Sequence, residues 1–393
     1  MRVLQVTAIP VTALRFVVPL ARALRDSGHE VEFATGPGLG LKEIEELGFK
    51  VRRMPISRSP FTVRNLHAVG ALRSLIPAGR FDVVHAHTPA AATIARSAAR
   101  HLDVRLLYTM HGSLWGKGSP GWQRALFTAI ERRLGRRTDC VFTVNPEDAA
   151  DCVARAGVPE RSVRLLPAGG AGVAPEFFVS DEEASRLRRA MRERLGLGAE
   201  DPVVVYVGRT AAAKGMGTLA RAFARLASRE DAARLLVVGG ALEGERGVYS
   251  KGRFLAEVGE QAAERVVWEG FKDRIPPFIA AADLLVLPSR REGFGMTLAE
   301  AAAMGRPVVA AETRGARAVV EPGLTGLLVP VDDAGALADA LIQLLRDKEK
   351  ASRMGAAARE RAAERFTRES VLAVYLEVYE AMERSAAAEA SLG

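Results

Sequence analysis

The chain has 393 residues, 48% of them apolar and 26% charged, the composition of a soluble globular protein with room for two domains. No apolar run reaches the length of a membrane span, Arg15 breaking the best N-terminal candidate, and two cysteines (Cys140, Cys152) are too few for a disulfide framework or a metal centre. The net charge of +8 is uneven: residues 1–175 hold 24 Lys and Arg against 14 Asp and Glu, a net of +10, and the remainder carries −2. Such a field favours an anionic partner, a phosphorylated substrate or a lipid surface. The basic residues are scattered among helices, without interleaved aromatics of the kind single-strand binders use, which speaks against nucleic acid.

Met1 to Thr7 reads as an opening strand rather than a signal peptide, so the expected setting is the cytoplasm. Apolar strands then alternate with amphipathic helices, the pattern of doubly wound α/β domains. In the first half the strands fall at 3–8, 31–35, 51–55, 83–86, 106–110, 140–144 and 163–167, and a helix at 14–27 puts Leu14, Val17, Val18, Ala21 and Leu24 on one face. Gly169 to Pro175 is a Gly/Pro-rich hinge. The plan repeats with strands at 203–208, 235–239, 266–268, 284–288, 307–310 and 326–329. Helices at 333–347, 349–364 and 370–384 close the chain, Asp332-Asp333 reading as an N-cap and residues after Ser385 as frayed.

The segment 288–307, PSRREGFGMTLAEAAAMGRP, carries the most chemistry. It sets Glu292 in a glycine-rich turn after an apolar strand and Glu300 two turns into the following helix. Gly293 and Gly295 clear side chains from the helix start, whose free N–H groups suit a phosphate. Two carboxylates beside it suit sugar hydroxyls. Arg209 and Lys214, after the strand at 203–208, are cations at a helix start and call for an anion, because they oppose the helix dipole. His111, at a strand end beside Gly112, is a further candidate. His85 and His87 follow another strand.

These segments resemble the retaining glycosyltransferases of the GT-B type, family 4. Glu292 and Glu300 match its E-x7-E signature, Gly208-Arg209 to Lys214-Gly215 its GR-x4-KG segment, and Glu269-Gly270-Phe271 with Asp283 its EG…AD stretch. Gly315 and Gly323 to Gly326 match its closing elements. In the first half, His87-Thr88-Pro89, Tyr108 to Gly112 and Thr143 to Asp148 resemble the branch that builds bacterial capsule and surface glycans.

The resemblance implies two doubly wound Rossmann-like domains facing across a cleft: an acceptor-binding domain at 1–172 and a nucleotide-sugar donor domain at 173–365, with the helix 366–385 crossing back onto the first. It implies transfer of a hexose or N-acetylhexosamine from a nucleotide diphosphate, UDP foremost, to a saccharide acceptor, lipid-linked or else a soluble small molecule. Arg209 and Lys214 would stabilise the leaving diphosphate, Glu292 would hold the sugar's C3 and C4 hydroxyls, and Glu300 the ribose. Phe271 and Lys272 would meet the base through backbone groups, and His111 would hydrogen-bond the transferred sugar. Gly208, Gly293, Phe294, Gly295, Met296 and Thr297 complete the donor set. Thr12, Arg15 and His87 stand on the acceptor side.

No cofactor and no metal are expected, since no Asp-x-Asp stands at a strand end. The chain departs from the family in three places. Ile9 to Arg15 replaces a Gly-Gly pair after the first strand, leaving Thr12 or Arg15 as substitutes and removing any dinucleotide fingerprint. Ala174 stands where an Asp is usual, and Thr with three Ala separates Arg209 from Lys214. Two other classes fit the architecture: a UDP-N-acetylglucosamine 2-epimerase, and a catalytically silent nucleotide-sugar-binding subunit. Finally, Lys117, Arg124, Arg132, Arg133, Arg136 and Arg137 lie among Trp115, Trp122, Leu126, Phe127, Ile130 and Leu134. That mixture predicts an interfacial helix on an anionic membrane.

Overall fold

The computed structural model describes residues 1–57, 62–116, 119–241 and 247–392. It divides into two compact units, Met1–Gly172 with Arg368–Gly393, and Val173–Thr367.

In the first unit the strands are β1 (Arg2–Thr7), β2 (Glu30–Thr35), β3 (Lys50–Arg53), β4 (Val83–His87), β5 (Arg105–Met110), β6 (Cys140–Thr143) and β7 (Val163–Leu165), all parallel in the order β3-β2-β1-β4-β5-β6-β7. In the second they are β8 (Val203–Val207), β9 (Arg234–Val238), β10 (Val266–Gly270), β11 (Leu284–Leu287), β12 (Val308–Ala311) and β13 (Gly326–Val329), again parallel, in the order β10-β9-β8-β11-β12-β13. Central strands such as β8 are buried at every position, as sheets covered by helices on both faces require. The strand order reverses between β1 and β4 in the first unit and between β8 and β11 in the second. Ligands of such sheets bind at the carboxyl ends of the strands flanking that reversal.

The helix after β1 differs from the expected continuous 14–27. It starts at Pro10, passes through a π-helical turn at Ala13–Val17 and resumes as Val18–Asp26. Pro19 has no N–H to donate and is tolerated because it falls in the first turn of the resumed helix. The expected buried positions Val17, Val18, Ala21 and Leu24 are all in the core.

The last helix, Arg368–Leu392, also runs past the expected end at 384. The alanine-rich stretch beyond Ser385 has high helix propensity and continues it instead of fraying. Val371, Tyr375 and Tyr379, four residues apart, form its fully buried stripe on the first unit. Within the second unit, Phe366 packs edge-on against Phe294 at 5.6 Å, and Val173 donates to its carbonyl at 2.7 Å.

The helix Gly121–Gly135 is fastened by a buried pair: Arg96 donates to both oxygens of Glu131 at 2.7 and 2.9 Å, its guanidinium over the Tyr108 ring. Trp115 and Phe127, read from sequence as part of a lipid-facing mixture, point into the core at 3% and 4% exposure and meet at 4.8 Å. Leu134 is buried as well. Each is needed to pack this helix against the sheet, so Trp122 (60% exposed) and Leu126 are the large apolar side chains left on its outer face. Arg124, Arg132, Arg133, Arg136 and Arg137 are exposed around them, and Lys117 lies outside the described residues. Among the described residues no helix is long and apolar enough to cross a membrane.

Candidate active site

In the second unit the loops after β8 and β11 meet at the strand-order reversal. The loop after β8 contains Gly208 and Arg209, then a single 3-10 turn Ala212–Lys214, so Lys214 precedes the helix Met216–Ala227 rather than starting it. Gly215 caps that helix at φ +74°, and a Cβ there would collide with the carbonyl of Pro288. Only glycine permits this backbone contact between the loops. Arg290 strengthens it, its N–H donating to Ala213 and its side chain pairing with Asp332, which also accepts from Thr218.

The contact brings the motif charges together. Lys214 Nζ lies 2.6 Å from Glu292 Oε1, both side chains mostly but not wholly covered. The anion that Lys214 calls for is, in the ligand-free protein, Glu292. Tyr206, buried beneath them, donates to the Arg209 carbonyl at 2.6 Å. Its hydroxyl is held far above its ordinary pKa, first by burial and then by the charge of Glu292, with Arg209 opposing. Tyr206, Arg209, Lys214 and Glu292 therefore share one electrostatic neighbourhood.

Gly295 caps the helix Met296–Ala303. Leu298, Ala299 and Ala301 to Ala303 are buried, which leaves Met296, Thr297 and Glu300 as its accessible face. Glu300, in the second turn of this helix, stands slightly nearer the helix start than expected. Phe294 points inward against Phe366, so only its backbone, with that of Gly293, can meet a ligand. Gly315 N–H donates to the Glu292 carbonyl at 3.2 Å and fixes the turn. Phe271 is 58% exposed at the end of β10, while Lys272 pairs with Glu269 at 3.1 Å.

Sequence reading passed over Gly239 and Gly240, which stitch the strand ends: Gly239 N–H donates to Gly270 and the Gly240 carbonyl accepts from Thr210. A glycine pair directly after an apolar run was the available signal.

In the first unit the residues group differently. Gln5, His85, His87, Thr109 and His111 stand on one face of β1, β4 and β5, because alternate residues share a face and Gln5 is in register with His85 and His87 with Thr109. The last helix covers this face. His85 is 0% and His87 1% exposed, whereas His111 stays partly accessible. His87 therefore lies behind His111 with both ring nitrogens engaged, to Gln5 at 2.8 Å and to His111 at 3.4 Å, and cannot touch an acceptor directly.

Burial holds all three imidazoles neutral. It lowers His111 to about 4, against a Gly169 carbonyl that works in the other direction. His85 falls to about 3, by burial and then by the nearby His111, and His87 falls well below its usual range by burial, then by His85 and His111. Gly170, at φ +81°, passes so close to the His111 ring that any Cβ would strike it.

Asp148, 1% exposed, accepts from the backbone and hydroxyl of Ser113 and from Asn145, anchoring the turn after His111. Phe16, in the π-helical turn, lies 5.5 Å from the His111 ring and was not anticipated. Thr12 is partly exposed and Arg15 exposed on the same segment. Thr88, beside His87, adopts φ +71°, a strained conformation for a β-branched residue.

Comparison with known proteins bears on both units. Residues 13–169 match the family model of a glycosyl transferase 4-like domain, and residues 201–347 that of glycosyl transferases group 1. The putative glycosyltransferase EpsD of Bacillus subtilis is 31% identical over 93% of each chain. The D-inositol 3-phosphate glycosyltransferase of Xylanimonas cellulosilytica is 30% identical over 93% of this chain and 90% of that one. In three dimensions the chain resembles Anabaena HepE, solved in complex with UDP and glucose, with a TM-score of 0.78 and 23% identity over 97% and 99% of the two chains. The chain thus belongs to the GT-B glycosyltransferases, with a glycosyl transferase 4-like domain followed by a group 1 domain.

Proposed function

We propose that the enzyme transfers a hexose or N-acetylhexosamine, with retention, from UDP to a saccharide acceptor carried on a lipid, in the synthesis of a bacterial surface glycan at the cytoplasmic face of the membrane. The observation that carries the donor half is the Lys214–Glu292 contact at 2.6 Å between the loops after β8 and β11. It puts a cation, a carboxylate and a capped helix start at the strand-order reversal. UDP as the nucleotide is supported by the complex of HepE.

In this reading Arg209, Lys214 and the helix start around Gly293 to Met296 take the diphosphate. Glu292 takes the sugar's C3 and C4 hydroxyls and His111 the sugar near its reacting carbon. Glu300 holds the ribose, and Phe271 and Lys272 meet the base. The bond from C1 to the phosphate oxygen breaks, and the acceptor oxygen bonds to C1 on the same face. Its proton passes to the departing phosphate oxygen. Two fixed cations and a helix start neutralise the developing charge, so the reaction is independent of a divalent metal.

The test is incubation with UDP-hexoses and UDP-N-acetylhexosamines, each with a glycan-lipid acceptor, in excess EDTA. Formation of an α-linked product from an α-linked donor is expected. An inverted product overturns retention, and reversible loss of turnover in EDTA overturns metal independence.

The lipid half rests on the outer face of Gly121–Gly135, where Trp122 and Leu126 sit among exposed arginines. Co-sedimentation with anionic but not neutral vesicles, reversed by salt, is the expected result. Substitution of Arg132, Arg133, Arg136 and Arg137 by Gln should abolish it and leave UDP binding unchanged. Absence of sedimentation would favour a second reading, a soluble small-molecule acceptor, which the name of the D-inositol 3-phosphate relative supports.

A further inference from the structure

The buried polar face of the first unit is one continuous chain of hydrogen bonds. From its accessible end, His111 Nε2 meets His87 Nδ1 at 3.4 Å, and His87 Nε2 meets Gln5 Oε1 at 2.8 Å. Gln5 Nε2 meets the Tyr379 hydroxyl at 3.3 Å, and that hydroxyl meets His85 Nδ1 at 2.9 Å. His85 Nε2 meets Thr109 Oγ1 at 2.8 Å, Thr109 Oγ1 meets the Tyr375 hydroxyl at 3.1 Å, and Tyr375 meets the carbonyl of Gly170 at 3.2 Å.

Every group but the last both donates and accepts. A carbonyl only accepts, so the Tyr375 O–H donates to Gly170 and its oxygen is left to receive the hydrogen of Thr109. The Thr109 oxygen then receives His85 Nε2–H, which leaves His85 Nδ1 to accept from Tyr379. Tyr379 in turn accepts from the Gln5 amide, which stands with its nitrogen toward Tyr379 and its oxygen toward His87. His87 Nε2–H donates to that oxygen, and its bare Nδ1 accepts from His111. Followed back from Gly170, the order puts hydrogen on Nε2 of each imidazole. The Gly169 carbonyl at the other end stands beside His111, so the bare Nδ1 and that carbonyl are two acceptors without a hydrogen between them. An unmatched pair costs most where burial is complete, at His85, His87, Thr109, Tyr375 and Tyr379. The one mismatch therefore falls at the partly accessible His111, where a hydroxyl can donate to Nδ1.

We propose that Tyr379 and Tyr375 of the last helix are positioning residues for His111. Through Gln5, His85, His87 and Thr109 they hold it in the Nε2–H form and leave Nδ1 an acceptor for a hydroxyl of the bound sugar. The Nδ1 part rests on the sugar contact assigned to His111 above; the chain itself does not. The opposite order places hydrogen on His111 Nδ1, toward Gly169. It requires the Gln5 amide turned over and the Tyr375 hydroxyl no longer donating to Gly170.

The experiment records side-chain nitrogen resonances of His85, His87 and His111 in uniformly labelled full-length enzyme, alongside steady-state transfer kinetics. In the wild type, each ring should show one protonated and one bare nitrogen, with hydrogen on Nε2. Tyr379→Phe should average the two signals of His87 and His111. It should also lower kcat roughly tenfold, the effect of one lost hydrogen bond, while donor KM stays within about twofold. Tyr375→Phe also releases the carbonyl of Gly170, a residue beside the His111 ring. It is therefore paired with Thr109→Val, whose lost hydroxyl bonds His85 and Tyr375, and a change in His111 signals in both reports the chain and not local packing.

Hydrogen on Nδ1 of wild-type His111, or unchanged histidine signals in all three variants, would overturn the proposal. Changed signals with kcat unaltered would overturn the part that ties the chain to transfer, and with it the sugar contact of His111. An unfolded variant is recognised by loss of dispersed amide signals. In that case Thr109→Val, which removes one hydroxyl from the middle of the chain at nearly constant volume, supplies the same measurement.

Discussion

The two units share one topology yet equip the same topological position in opposite ways. At the reversal in the second unit, Lys214 and Glu292 are charged and partly accessible, 2.6 Å apart on glycine-rich loops. Around the reversal in the first unit, histidine, glutamine, threonine and tyrosine are neutral, and most are sealed beneath the last helix. A site that must receive a dianion gains from fixed charge near solvent, where the charge is tolerated until the ligand arrives. A group that must only present one lone pair gains from neutrality and a fixed orientation. The charged site should thus fail when charge is removed, and the neutral one when charge is introduced.

The largest effect expected is from removing charge. Lys214→Ala and Arg209→Ala should each lower kcat by about 10²–10³, the usual cost of one oxyanion-stabilising donor. Binding of intact donor should weaken far less, because the diphosphate gains its extra charge only as the glycosidic bond breaks. Single-turnover kinetics alongside calorimetry separate the two. A raised KM with near-normal turnover would remove both residues from the diphosphate and dissolve the contrast between the units.

Introducing charge into the first unit is done with acid. Folding depresses His111 from 6.5 to about 4 and His85 to about 3, with His87 also well below its usual range. The unfolded chain therefore takes up these protons first. Stability is fully present above about pH 6.5 and declines as pH falls toward 4, by up to about 1.4 kcal/mol per pH unit for each buried histidine. Urea titrations between pH 7 and 4.5 should show that decline, and His85→Gln with His87→Gln should flatten it. A midpoint unchanged down to pH 5 would mean that the histidines are not neutral and sealed as described.

The same division explains what could be read from the sequence. The loops after β8 and β11 were legible because their geometry is local: Gly208 to Gly215 and Glu292 to Glu300 each lie within one turn and one helix start. Strand positions were legible for the same reason, each being a short apolar run. The pairing of Lys214 with Glu292 was not, since it depends on β8 and β11 being neighbours although the two residues are 78 positions apart. The chain through Gln5, His85 and Tyr379 was further out of reach. Gln5 and Tyr379 are 374 positions apart, and buried polar residues on a strand carry no periodic signal of their partner. The misread of Trp115 and Phe127 has a related cause: composition gives the makeup of a helix, but which residues face outward is decided by what it packs on.

The finest test of the comparison is the split between the two motif carboxylates. Glu300, on the accessible face of the helix Met296–Ala303, is assigned to ribose, so Glu300→Gln should weaken free UDP as well as the sugar-bearing donor. Glu292 differs because of its partner. In the ligand-free site it occupies Lys214, and a diphosphate must compete for that ammonium. Glu292→Gln removes the competitor while keeping the side chain's size. Transfer should fall, since the hydroxyl contact is lost, yet free UDP should bind a few-fold tighter than to the wild type. The pair is mostly covered yet still open to solvent on one side, so the gain should shrink as salt is raised. Calorimetry with UDP at two salt concentrations measures it. Weaker UDP binding by Glu292→Gln at both would place Glu292 on the nucleotide and leave Lys214 without the switch of partners that the ligand-free geometry implies.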